Sequence, residues 1–180
     1  FTTNKRLVFI NTHNGSPVIQ FRNGSRNSAV KFCTIQGAST NVNQGLLQIG
    51  DASSTEANRD ITFDYNLITR ASGSTPRYGI HVFGTLMRES RNISISNNEV
   101  IDIYTPSSAS GYIAIGDNLR ILRIQNNHLY QNTAGTPGNS ATYVSIIGGK
   151  GGGNSNNCDS IYITNNYIGG RARFARGQSW

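Results

Sequence analysis

The sequence predicts an all-β fold, a right-handed parallel β-helix (solenoid) of about five coils that fills residues 1–180 as a single domain. Three observations predict it: a six-residue pattern that recurs, a second alternating pattern between its copies, and a composition poor in helix formers. The six-residue pattern reads VKFCTI at 30–35, FDYNLI at 63–68, ISNNEV at 95–100, IQNNHL at 124–129 and ITNNYI at 163–168, its starts 33, 32, 29 and 39 residues apart. Position one is always apolar, position six is Ile, Leu or Val, and position four is Asn in every copy except the first, where it is Cys33. A near-constant period of this length is the mark of stacked repeats.

The second pattern reads PVIQF at 17–21, GLLQI at 45–49, YGIHVF at 78–83, GYIAI at 111–115 and TYVSII at 142–147. Apolar and polar residues alternate at period two, as in a strand with one face buried. Ile19 with Phe21, Leu47 with Ile49, Ile80 with Val82, Ile113 with Ile115 and Val144 with Ile146 are the inward candidates. Gln20, Gln48, His81, Ala114 and Ser145 then point outward. Short strands around an Asn turn, joined by Gly/Ser/Thr/Asn loops, make one coil, and each strand stacks on its counterpart one coil away. Asn66, Asn98, Asn127 and Asn166 are expected as a buried ladder of amides about 4.8 Å apart at a corner where Asn tolerates left-handed backbone, with Cys33 as its end member. A propeller blade or a leucine-rich repeat would need a different strand count or its Leu/Asn consensus.

Hydrophobic residues are 36% of the chain and charged residues 14%, and glutamate occurs only at Glu56, Glu89 and Glu99. A helical bundle is disfavoured, and the regular spacing of Ile, Val, Phe and Tyr argues against disorder. The formal charge of +7 would attract an acidic polymer such as an anionic polysaccharide. The charges read as scattered, with a local cluster only at Arg171, Arg173 and Arg176. No basic helix or aromatic-basic strand motif accompanies them, so nucleic acid is not an expected partner.

Cys33 and Cys158 are too few for a disulfide framework and lack zinc-site spacing, so no metal and no cofactor are expected. About four coil steps separate them, roughly 19 Å along the axis, which excludes a bond between them. No run of eighteen apolar residues suggests a membrane span. Phe1 leads directly into the apolar run Leu7, Val8, Phe9 and Ile10, with no initiator Met and no signal-peptide pattern. The chain therefore reads as a piece of a longer protein, its nearest partner being flanking β-helix of the same polypeptide.

RLVFINTHNGSPVIQFRN, NSAVKFCTIQGAS and ITNNYIGG resemble right-handed β-helix segments of very large secreted proteins from Bacteroidota, many of which carry sorting domains for type IX secretion. The resemblance covers nearly the whole chain. It implies a secreted or cell-surface location and an adhesive or structural role, and Asp159-Ser160-Ile161 is similar to the O-glycosylation acceptor of that phylum.

The same fold houses polysaccharide lyases and glycosidases, so an enzyme has to be judged on its site. The nine carboxylates are spread one or two per coil, with none of the paired acids such chemistry uses. The best catalytic constellation is Asp51, His81 and Asp117, the acids two residues after a strand-end Ile and His81 on the coil between. Two coil steps put the carboxylates about 10 Å apart, beyond the roughly 6.5–9.5 Å of inverting glycosidases. Asp in IGD also simply starts a turn, and His81, like His13 and His128, suits an ordinary surface position. The reading therefore leans away from an enzyme, with polysaccharide degradation as the alternative. A glycan-binding face is the milder option, with Gln20, Arg22, Gln48, His81 and Phe83 on the outer sheet surface and Tyr112 and Tyr143 at its edge.

Overall fold

A computed structural model describes residues 7–85, 88–106, 109–132, 143–147 and 158–169. All regular structure among them is β, in three parallel sheets that the chain visits in cyclic order. The first pass lays down β1 (Leu7–Asn11), β2 (Ile19–Phe21) and β3 (Arg26–Lys31). The second adds β4 (Cys33–Gly37), β5 (Leu47–Ile49) and β6 (Arg59–Asp64), and the third β7 (Leu67–Arg70), β8 (Tyr78–Val82) and β9 (Ser90–Ser96). The fourth adds β10 (Glu99–Ile101), β11 (Ser110–Ile115) and β12 (Leu119–Gln125). The fifth has β13 (His128–Tyr130), β14 (Tyr143–Ile147) and β15 (Cys158–Thr164), and β16 (Tyr167–Gly169) follows.

Every third strand pairs with its equivalent one repeat on. The first sheet runs β1-β4-β7-β10-β13-β16, the second β2-β5-β8-β11-β14 and the third β3-β6-β9-β12-β15. This arrangement is consistent with the predicted solenoid of repeats.

Register turns the sequence repeat into columns of like residues. Phe9, Ile35, Ile68, Val100, Leu129 and Ile168 stack in the first sheet, and Val30, Phe63, Ile95, Ile124 and Ile163 in the third. In the second sheet Ile19, Leu47, Ile80, Ile113 and Ile146 form one column and Phe21, Ile49, Val82 and Ile115 another. Their central members are buried in one core, since a strand stacked on both sides leaves its inward side chain no route to water. In the fifth repeat the partner of Ile113 is Ile146 and that of Gly111 is Val144. Ile146, one of the two inward candidates of that repeat, packs against the core.

The predicted amide ladder is present. Nδ2 of Asn66 donates to Oδ1 of Asn98 at 3.0 Å, Asn98 to Asn127 at 3.0 Å and Asn127 to Asn166 at 2.9 Å. Each Nδ2 also donates to a strand carbonyl: those of Val30, Phe63, Ile95 and Ile124 in turn. The Oδ1 atoms accept the backbone N–H of Cys33, Asn66, Asn98 and Asn127. Asn66, Asn98 and Asn127 are buried, Asn166 half-buried, and Cys33 ends the ladder through its backbone. Cys33 and Cys158 are not joined in a disulfide.

One part of the expectation is corrected. The left-handed residue at this corner is not the ladder Asn but position three of the pattern: Phe32 (φ 54°), Tyr65 (54°), Asn97 (55°), Asn126 (56°) and Asn165 (55°). The turn is made one residue early, which frees position four to aim its amide inward. Bulky residues are costly at positive φ, and the exposed rings of Phe32 and Tyr65 stack at 5.2 Å and 8°.

A second left-handed column lies in the third sheet: Asn27, Asp60, Asn92, Ile121 and Ser160. Ile121, at φ 58°, is the one β-branched member. Ile121→Asn is expected to raise stability by about 1 kcal/mol, since a short polar side chain is tolerated where a β-branched one is strained. Chemical denaturation checks this, and a loss of stability would show that the Ile side chain contributes more by packing than its backbone costs.

Candidate functional site

A cavity of about 370 Å³ lies over the outer side of the second sheet, walled by Val42, Tyr78, His81, Phe83, Ala114 and Asp117 among others. The outward column of that sheet is Gln20, Gln48, His81 and Ala114. Where the column changes from the long amide of Gln48 to the ring of His81 and then to Ala114, the drop in side-chain volume opens a hollow. Close approaches frame it: a Cβ on Gly45 would stand 2.6 Å from the backbone N of His81, and one on Gly116 2.5 Å from Cβ of Phe83. Only glycine lets these segments sit so near.

The rings of Tyr78 and His81 are 5.6 Å apart and those of His81 and Phe83 4.8 Å, an aromatic wall within contact range. Two buried atoms in the lining have no hydrogen-bond partner, Nδ1 of His81 and Oδ1 of Asp117. Buried polar atoms are nearly always satisfied, so two orphans beside one cavity mark it out from the rest of the surface.

Burial pushes the pKa of His81 down from 6.5 to about 4, against a smaller upward effect of its hydrogen bond to the Asn43 backbone. The ring is therefore neutral at pH 7. With that bond to a backbone carbonyl made from Nε2–H, Nδ1 is an acceptor. Unfolded, the imidazole takes a proton below about pH 6.5; folded, it does so only near pH 4. Its contribution to stability is thus fully present above pH 6.5 and lost as the pH falls to about 4, at most about 3 kcal/mol. Urea unfolding at pH 7.5 and 4.5 is expected to show this loss, and His81→Gln to abolish it. A slope unchanged in the variant would mean that the ring is solvated.

Asp51 does not line the cavity. Burial raises its pKa, but hydrogen bonds from Ser53, Arg22 and Ser54 outweigh that and leave it lowered. Its Oδ1 accepts the Ser53 N–H at 2.9 Å and the Ser53 and Ser54 hydroxyls, while Oδ2 is 3.1 Å from Nη1 of Arg22. This is the carboxylate of a turn, fully engaged. The structure thus brings together His81 and Asp117 of the catalytic constellation and leaves Asp51 out.

The other sequence candidates divide. Phe83 lies in the cavity wall. Gln20 is half-buried, its amide turned to the Gly50 carbonyl and Asp51, and Arg22 is exposed and paired with Asp51. Gln48, expected on the solvent face, is 1% exposed; its amide folds back along its own strand, accepting from Gly45 N–H and donating to the Gly50 carbonyl. Tyr112 packs half-buried against the core instead of standing at the sheet edge. Tyr143 begins β14, and its side chain lies outside the described residues, as do Arg171, Arg173 and Arg176 entirely. Asp159, Ser160 and Ile161 fall within β15.

Sequence reasoning misses Tyr78, whose parity with Ile80 points to the core. Among the described residues no three His, Cys, Asp or Glu side chains gather where they could hold a metal ion, and no helix is long and apolar enough to cross a membrane. Compared with known proteins, the chain matches no family model, no curated protein and no solved structure.

Proposed function

We propose that this chain is a right-handed parallel β-helix acting as a structural or adhesive module of a secreted or cell-surface protein, and that it holds a glycan in the cavity beside His81. The cyclic order of three parallel sheets supports the solenoid. The observation that carries the binding reading is the pairing of an aromatic wall with two unpartnered buried acceptors, Nδ1 of His81 and Oδ1 of Asp117, around about 370 Å³. Rings stack on sugar faces, and bare acceptors favour a ligand rich in hydroxyl donors; the volume falls in the usual range for small-ligand sites. Location at the cell surface rests on the resemblance of the strand pattern alone.

Calorimetric titration of the chain with a panel of neutral oligosaccharides tests the binding. At least one is expected to bind saturably, and Phe83→Ala and Asp117→Asn each to weaken it tenfold or more without changing the circular dichroism spectrum. Lack of any binding, or binding indifferent to both substitutions, would overturn the assignment. Release of a shortened sugar, abolished by Asp117→Asn, would replace it with polysaccharide degradation.

A further inference from the structure

Register along the third sheet does to charge what it does to the core. Arg26 pairs with Arg59, Arg59 with Arg91 and Arg91 with Arg120, and Asp159 ends the column. The four arginines come from β3, β6, β9 and β12, each on the outer face, about 4.8 Å from the next. Arg26, Arg91 and Arg120 are exposed and Arg59 is half-buried. In sequence these residues lie more than twenty positions apart, which is why the charges look scattered along the chain.

Like charges directly opposite on neighbouring strands destabilise a sheet, and little among the described residues offsets these. Glu56 lies 3.9 Å from Arg26 and Asp159 3.7 Å from Arg120, both pairs exposed and therefore weak. Asp60, in the adjacent column, accepts from Nδ2 of Asn92, and Asp64 faces Lys31 at 3.9 Å. Arg59 and Arg91 have no carboxylate within ion-pair distance among the described residues. On the same face Arg123 adds a further cation, held by Oδ1 of Asn92 at 3.3 Å and over the ring of Tyr162.

We propose that the column Arg26, Arg59, Arg91 and Arg120 is a docking track for an acidic polysaccharide lying along the stack, one anionic group per sugar meeting one guanidinium per repeat. Planar guanidinium forks bind carboxylate and sulfate in two-pronged fashion, and a regular row of them matches a polymer whose charges recur about once per sugar ring. Nucleic acid fits less well. Duplex phosphates recur at about 3.4 Å per strand, out of step with the column, and single strands need aromatic platforms between the cations, where this column has none. The track lies on a different sheet from the cavity, so the two sites stand or fall separately.

The test measures affinity of the whole chain for polygalacturonate, dextran sulfate and oligo-dT at low and moderate salt. Saturable, salt-sensitive binding to either polysaccharide is expected, the preferred one naming carboxylate or sulfate as the recognised group. Arg91→Glu should weaken it at least tenfold and Arg91→Lys less so, while Arg70→Glu, the same charge reversal on the first sheet, should leave it within twofold. Circular dichroism of each variant establishes that it is folded. Equal losses for Arg91→Glu and Arg70→Glu would reduce the effect to net charge and overturn the proposal. So would tighter binding of oligo-dT than of both polysaccharides, or no binding of either one.

Discussion

Asn98→Ala is expected to destabilise the fold by about 2–6 kcal/mol, the cost of leaving two buried backbone groups without a partner at about 1–3 kcal/mol each. Asn98 sits in the middle of the ladder and is 1% exposed. Its Oδ1 accepts both the backbone N–H and the side-chain amide of Asn66, and its Nδ2 donates to the Phe63 carbonyl and to Oδ1 of Asn127. Truncation removes the acceptor of the Asn66 N–H and a donor to the Phe63 carbonyl, and the interior offers no water to replace them. Asn98→Asp should also be costly, because a carboxylate can accept from Asn66 but cannot donate to Phe63 or Asn127. Asn97→Ala is the comparison one residue away: it removes only a half-buried bond to Asp64, although it also places Ala at φ 55°. Urea denaturation of the three variants orders the effects, and an Asn98→Ala variant within about 0.5 kcal/mol of the parent would mean that the ladder does not hold the corner.

The ladder was readable in the sequence because both of its causes are local. The period fixes which residues stack, and an Asn in register with apolar neighbours has few other reasons to recur. The core columns were readable for the same reason. Legibility fails wherever a side chain's fate depends on what the loops do above the sheet. Period two puts Gln48 on the outer face, yet it cannot foresee that its amide turns back on Gly45 and Gly50. Nor can it foresee that His81, two strands from Gln20 in the same outward column, is half-buried in the wall of a cavity. The left-handed corner residue is expected at position four and found at position three for a subtler reason. Asn is the usual left-handed residue, so Phe32 and Tyr65 there were hard to expect, although Asn97, Asn126 and Asn165 supplied the hint in the other copies. The arginine column was fully available: each Arg lies four residues before the start of a six-residue copy. It emerges only when charges are aligned by the repeat instead of counted along the chain.

Ile95→Ala should cost about 2–5 kcal/mol, whereas Ile163→Ala, the same substitution in the same column, should cost less than about 1 kcal/mol. Ile163, at the always-apolar first position of its copy, is an expected core residue. Ile95, at the same position of its own copy, is buried, pairing with Phe63 on one side and Ile124 on the other at 0% exposure. Ile163 pairs with Ile124 alone and is 48% exposed. In a stack of repeats each inward side chain owes its burial to two neighbours, so a residue with one covered side loses about half of the transfer energy, and its truncation leaves a notch open to water instead of a cavity. Measured by urea unfolding, the ratio of the two effects reads how many sides of each coil are covered. If flanking β-helix of a longer polypeptide stacks on the fifth repeat, restoring those residues should raise the cost of Ile163→Ala toward that of Ile95→Ala. Equal costs in the present chain would instead mean that Ile163 is already covered, and that the exposed end of the column is not where β15 leaves it.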